Sequence, residues 1–342
     1  MTIARGEGNC QRRPLRLLSC DAVPSFRVIV TCLVIGLTLL GCRRQRRKVI
    51  AVVPKATSHL FWVSIHAGAA AAGNDLGVEV DWNGPATETD YSRQIQIVDS
   101  MIARHVDGLA LAAQDRTALD ASLDRAAREG IPVTVFDSGV DSTNYMTFVA
   151  TNNYEAGQMA ARKLAELLNR KGSIAMVQHV PGSNSTMERE HGFEETMARE
   201  FPQIQIVQKQ YGMSDRSKAM AAAENILTAH PNLDGIFAST EPSSVGTSLA
   251  LKSRHLDGKI KFVAFDATDS MIEDLKEGTI DALVAQDPFR IGYEAVQTLV
   301  DKLNGKTPPK RMDLSAHVIV KADLQKPEVK LLLNPDVKKY LQ

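Results

Sequence analysis

Short apolar runs recur along this chain, each followed by a stretch whose apolar residues return with the period of a helix, and that alternation restricts the fold severely. The runs are residues 49–53, 78–82, 108–112 and 132–136, then 173–177, 235–239, 261–265 and 282–285. Between them Ile95, Val98 and Ile102 share one helical face, as do Leu119, Leu123 and Ala126, and Ala160, Leu164, Leu167 and Leu168. Asp107-Gly108 and Gly130-Ile131-Pro132 punctuate the joins as turns. Repeated β-α-β units require parallel sheets with right-handed crossovers and helices on both faces. A body of about 300 residues suits two domains better than one, and no Pro/Ser-rich linker divides it. The expected fold is therefore α/β: two doubly wound parallel-sheet lobes that share several chain crossings.

Ligands of such sheets collect at the carboxyl ends of the strands, so the residues just after each run carry the functional reading. His59, Phe61 and Trp62 follow the first run, and Asp137 and Ser138 follow the fourth. Thr240 with Glu241, then Asp266 and Gln286, follow later ones. Carboxylates, amides and hydroxyls exchange hydrogen bonds with a hydroxyl-rich ligand, and an aromatic ring takes its C–H face. Each residue also has a plainer reading: an Asp after a strand is often a helix N-cap, and Phe61 and Trp62 taken singly suit a core. Their joint recurrence at strand ends favours a binding cleft.

The N-terminus carries a different signal. Arg5, Arg12, Arg13, Arg16 and Arg27 precede an apolar run over 28–40, too short to span a bilayer as a permanent helix and suited to a cleaved export signal. It ends in Leu39-Leu40-Gly41-Cys42, and all four cysteines (Cys10, Cys20, Cys32, Cys42) fall within the first 42 residues. The body after Cys42 can hold no internal disulfide and no thiolate metal site. Arg43, Arg44, Arg46, Arg47 and Lys48 crowd the exported side, against the usual preference of positive charge for the cytoplasm; an uncleaved anchor beside a chance cysteine is the competing reading. Without residues 1–41 the chain keeps 35 basic and 38 acidic residues, a formal charge near −3, which gives no footprint for nucleic acid.

Nothing in the sequence suggests a cofactor, a metal site or catalysis. There is no Walker loop, no G-x-G-x-x-G and no H-E-x-x-H, and the eight histidines are scattered. His179 lies near Ser183-Asn184-Ser185 without a nucleophile elbow, and reads as part of the loop before the helix bearing Arg189.

From Val49 onward the chain resembles the ribose-type, type I periplasmic sugar-binding proteins, the substrate-binding lipoproteins of ABC transporters. The resemblance lies in eight ordered segments: IAVVPKATSHLFWVSIHAGAAAAGNDLGVEV, VDGLALAAQD, GIPVTVFDSGV, VATNNYEAGQMAARKL, NSTMEREHGF, MSDRSKAMAAAENILTAHPNLDGIFAST, KFVAFDAT and GTIDALVAQDPFRIGYEAV. It implies lobes at 49–151 with 287–314 and at 152–286 with 315–342, after an export signal at 1–41 and a basic linker at 42–48. The three crossings would fall near Thr151, Gln286 and Leu314, as a three-strand hinge. Gly41-Cys42 resembles a lipobox, which implies acylation of Cys42 and a cell-envelope location.

The implied ligand set is His59, Phe61, Trp62, Asp137, Ser138, Arg189, Thr240, Asp266 and Gln286, with the two aromatics sandwiching a sugar ring and Arg189 and Asp266 gripping hydroxyls. The partners implied are a monosaccharide or polyol and an ABC permease, for a monomeric protein; a sugar receptor acting without transport has the same sequence features. The chain departs from the family at Asp137-Ser138, where Asp-Arg is common, at Thr240-Glu241 in place of Asn-Asp, at His59 in place of an amide, and at Ser214 in place of an aromatic. The ligand's identity does not transfer across those changes. Val53-Pro54-Lys55 is similar to polyol-binding relatives, and Lys55 would add a charge.

Overall fold

The computed structural model describes residues 46–341. The expected export signal at 1–41, Cys42 and most of the expected basic linker lie outside these residues. The first sheet contains β1 (Val49–Val53), β2 (Glu79–Trp82), β3 (Gly108–Leu111), β4 (Val133–Phe136) and β5 (Thr147–Thr151), and the second contains β6 (Gly172–Gln178), β7 (Ile204–Tyr211), β8 (Gly235–Ala238), β9 (Lys261–Phe265) and β10 (Ala282–Ala285). Two late strands are shared out: β11 (Arg311–Leu314) joins the first sheet and β12 (His317–Ile319) the second. The orders are β11-β5-β4-β3-β1-β2 and β12-β10-β9-β8-β6-β7. The strand order of one sheet thus repeats in the other, and every pairing is parallel except β10 with β12. The expected two-lobed α/β architecture is the one found.

Most strands expected from the sequence are buried on both faces, as parallel strands under helices must be; the edge strand β2 is exposed to half-buried, and β5, buried throughout, is not among the expected runs. β1, β3, β4, β8 and β10 are buried along their whole length. β7 alternates buried or half-buried with exposed residues because it is an edge, and its apolar content was too sparse to read as a run. Each sheet has a core on both faces, the first around Leu109 and Val135 on one side and Ile50, Trp62 and Phe136 on the other.

The chain passes between lobes after Thr151, after Ala285 and between Leu314 and His317. The first two passages each supply the cap of the next helix. Asn152 accepts the Glu155 N–H at the start of α4 (Asn153–Leu167), and Asp287 accepts that of Arg290 at the start of α9 (Pro288–Leu303). The other helices are α1 (Leu60–Leu76), α2 (Tyr91–Ala103), α3 (Asp120–Arg128), α5 (Asn184–Glu200), α6 (Arg216–Ala229), α7 (Glu241–Ser253), α8 (Asp269–Glu277) and α10 (Pro327–Leu333).

One part of the expected division fails. Residues 315–342 do not belong wholly to the second lobe: Val329, Leu332 and Leu333 pack on its core, but the turn Val337–Lys339 lies against α1. The Tyr340 ring sits 5.4 Å from that of Phe289 on α9. The tail is therefore shared between the lobes.

Two helix pairs cross at backbone contact through glycines. A Cβ on Gly68 would stand 1.9 Å from the Phe289 carbonyl oxygen, and one on Gly157 the same distance from that of Arg189. Gly292 and Gly192 make the reciprocal approaches to Ile65 and Tyr154. These contacts set α1 on α9 and α4 on α5. Gly68→Ala should destabilise the protein by about 1–3 kcal/mol through forced separation of α1 and α9. Urea unfolding checks this, and an unchanged midpoint would contradict the close crossing.

Candidate functional site

The carboxyl ends of both sheets face each other across one cleft. Lys55, His59 and Phe61 enter it from the β1–α1 loop and the start of α1, Glu88 from the β2–α2 loop, and Asp137 from the end of β4. The opposite wall presents His179 after β6, Arg189 on α5, Thr240 and Glu241 after β8, Asp266 after β9 and Gln286 after β10. The walls stand close together: the space between them is about 30 Å³, far below the roughly 300–1,000 Å³ usual for small-molecule sites.

Asp137 and Asp266 occupy equivalent places in the two lobes. Each follows the fourth strand of its sheet, and each N–H donates to the neighbouring strand, to Val149 and Val284 at 2.9 Å. Each has a left-handed backbone, φ 56° and 69°, a conformation that Asp adopts more readily than most side chains at a cost on the order of 1 kcal/mol. Neither caps its own following helix. Asp266 instead accepts the Glu241 N–H at the start of α7 and a bond from Gln286 Nε2 at 2.8 Å, while Gln286 Oε1 accepts from Thr151 at 2.6 Å.

Arg189 is 2 % exposed. Its guanidinium donates to the Ser239 carbonyl and to Asn153 Oδ1 (2.7 Å) and lies over the Phe265 ring, 3.4 Å from its centre. Burial lowers its pKa, opposed by Asp266 and Asp137. Burial likewise raises the pKa values of Asp137 and Asp266, countered by Lys55 and Arg189 respectively. Three polar atoms of this cleft have no hydrogen-bond partner among the described residues: Asp137 Oδ2, Arg189 Nε and Glu241 Oε2. Buried polar groups are seldom left so; of the three, Asp137 Oδ2 stands in an ion pair with Lys55 Nζ at 3.5 Å.

Glu88 is the centre of a buried ionic cluster that joins the walls. It accepts the Trp62 Nε1–H at 2.8 Å and lies 2.9 Å from His179 Nε2, 3.5 Å from Lys55 Nζ and 3.5 Å from His59 Nδ1. Burial opposes its ionisation, but Lys55 and His179 outweigh burial and hold its pKa well below the ordinary carboxylate range. His179 is pushed down by burial, so its neutral ring donates Nε2–H to Glu88. His59, less buried, is raised, because Glu88 overcomes the desolvation that lowers it. Lys55 Nζ also reaches Ser183 Oγ (3.2 Å) and Ser185 Oγ (3.4 Å) on the opposite wall and Asp137 Oδ2 at 3.5 Å.

Eight of the nine sequence-derived residues line the cleft. Ser138 does not; it is buried behind Asp137, where its Oγ accepts the Ser185 N–H at 3.4 Å. The aromatic sandwich also fails. Phe61 and Trp62 are consecutive on α1 and point about 100° apart; their rings meet edge to face at 5.1 Å, which leaves no room for a sugar between them. Trp62 is 1 % exposed and packs on Phe136. Glu88 and His179 are not among the residues expected from the sequence: Glu88 sits in an irregular loop with no pattern around it, and His179, directly after a strand, reads from sequence as part of a connecting loop.

Residues 50–307 match the model of the periplasmic binding protein domain. The chain belongs to the periplasmic binding protein family, in its ribose-type branch. It is 30 % identical to the ribose import binding protein RbsB of Bacillus subtilis over 246 residues, 72 % of this chain and 78 % of the relative. The D-allose-binding periplasmic protein of Escherichia coli is 28 % identical over 268 residues, 76 % of this chain and 86 % of that one. Among solved structures, a carbohydrate transporter solute binding protein from Agrobacterium radiobacter, in complex with D-arabinose, superposes with a TM-score of 0.82 at 29 % identity, covering 85 % of this chain and all of its own.

The depressed pKa of Glu88 has a definite sign. Its folded value lies below the unfolded one of about 4.3, so it stabilises the fold fully above that value, and the contribution is lost as pH falls through the folded value. Glu88→Gln leaves Lys55 short of a partner and should cost on the order of 3 kcal/mol at pH 7. The loss should shrink below about pH 4. Asp137, Asp266 and Glu190 shift the opposite way, and the difference between wild type and variant reports Glu88 together with the part of the Asp137 shift that the Glu88 charge causes. Urea unfolding at a series of pH values checks this; a difference independent of pH would contradict it.

Proposed function

We propose that this protein is the solute-binding component of a sugar ABC-type transport system, taking a monosaccharide or related polyol between its lobes and delivering it to a membrane permease. The observation that carries the reading is the set of polar atoms without a hydrogen bond in residues of the facing walls: Asp137 Oδ2 on one, paired only ionically with Lys55, and Arg189 Nε and Glu241 Oε2 on the other. Two acceptors and one donor suit hydroxyl groups, each of which can give one hydrogen bond and accept others. Charge-assisted bonds contribute roughly 1.5–3 kcal/mol each, so three approach the ~8 kcal/mol of micromolar binding. The sugars named for the relatives are ribose, allose and arabinose.

In this reading His59, Phe61, Asp137, Arg189, Thr240, Asp266 and Gln286 contact the sugar, Phe61 alone offering a ring face. Ser138 and Trp62 support the wall from behind. The lobes rotate about the three passages, and contacts from both walls stabilise the closed form that the permease reads. The role is binding without catalysis, by a monomer exported with loss of residues 1–41 and held at the membrane by acylation of Cys42.

A thermal-shift screen against pentoses, hexoses and polyols tests the proposal. A sugar at 100 times its Kd should add about 2.7 kcal/mol of stability, and calorimetry on Asp137→Ala should show its binding weakened at least a hundredfold. Absence of any shift across the panel would refute the sugar assignment.

A further inference from the structure

Beside the cleft lies a second chamber of about 310 Å³. Phe61, Asp266 and Gln286 belong to the walls of both spaces and form the partition between them. Two of these cannot yield easily: Gln286 is fixed by Thr151 and Asp266, and Asp266 by Gln286 and the Glu241 N–H. Phe61 is different. Its ring is only half-buried, on the first turn of α1, and an edge-to-face contact with Trp62 is the aromatic packing it makes. Of the three it is the one held by packing, on the first-lobe core, and not by hydrogen bonds.

The far wall of the chamber is the chain's own C-terminal tail, which crosses from the second lobe to α1 between Leu332 and Lys338. The lining is of two kinds. Leu60, Pro288 and Leu332 supply aliphatic surface, and Ser64, Asp269 and Asn334 supply donors and acceptors. A purely aliphatic group would leave the second set unused, and a small ion would leave the first. A sugar ring presents hydroxyls at its rim and C–H groups on its faces, and matches both.

We propose that this chamber is a subsite for the second unit of a disaccharide whose first unit occupies the cleft, with the Phe61 ring at the junction and the C-terminal tail as its outer wall. The inference rests on the sugar-binding reading of the cleft and extends its ligand range from single rings to linked pairs. It also gives the tail a role in ligand selection.

Calorimetry on the purified protein tests it with D-ribose, D-allose, D-arabinose, D-xylose, D-glucose and D-galactose, beside xylobiose, maltose, cellobiose, lactose and melibiose. At least one disaccharide should bind within tenfold of the affinity of its component sugar. Asn334→Trp and Ala267→Leu place bulk in the chamber from opposite sides; each should weaken disaccharide binding tenfold or more and leave the monosaccharide within twofold. The unchanged monosaccharide affinity also reports that the variants fold. Binding of monosaccharides with no disaccharide bound, or disaccharide affinity unaffected by both substitutions, overturns the subsite and leaves the cleft reading in place. Failure of every carbohydrate to bind overturns both.

Discussion

A guanidinium buried between two sheets must find acceptors, and how Arg189 finds them fixes much of this molecule. One donor goes to the end of β8 through the Ser239 carbonyl, another to Asn153 at the passage from the first lobe, and the charge lies on the Phe265 ring at the end of β9. The helix that carries it, α5, is set on α4 by the Gly157 and Gly192 crossings, which bring backbone against backbone at the same turn. Helix crossing, lobe passage and cleft wall are therefore one mechanical unit. What remains of Arg189 is its Nε, buried without a hydrogen-bond partner among the described residues, in a side chain that lines the cleft.

The second constraint is the ionic cluster around Glu88. A buried pair of this kind adds little net stability, because desolvation consumes most of the Coulombic gain, while removal of one partner is costly. Its consequence here is geometric. Lys55 and Glu88 come from one lobe, and Ser183, Ser185 and His179 from the other. Their distances are satisfied at a single separation of the lobes. Gly139 N–H donating to Asn184 Oδ1 and Arg116 N–H donating to the Gly182 carbonyl are satisfied at the same separation. Opening the lobes returns these groups to water, which satisfies them also, so the two arrangements can lie close in free energy.

The fold was legible where the physics leaves a pattern. β1, β3, β4 and β8–β10 are covered on both faces and read as uninterrupted apolar runs. β7 and β11 are edges with exposed residues, β12 is only three residues long, and β5, though buried, begins and ends on threonine, so these leave no uninterrupted apolar run. The site was legible through topology: in a parallel sheet the strand ends converge, and Asp137, Thr240, Asp266 and Gln286 could be placed from that rule alone. Glu88 could not, because its position depends on the path of an irregular loop, and no local pattern encodes that path. Neither could the orientation of Phe61 and Trp62, where helical geometry separates neighbours that family resemblance had paired. The tail's return to α1 depends on Tyr340 meeting Phe289 across 51 positions of chain, which no local signal announces.

The central claim is that ligand is held by both lobes at once, in the separation that completes the Glu88 cluster. Small-angle X-ray scattering of the protein with and without a saturating sugar tests this directly. The account predicts a larger radius of gyration without sugar, and a sugar-bound curve that fits the closed arrangement described above. Identical curves in the two states, with sugar binding verified by calorimetry in the same samples, would contradict it.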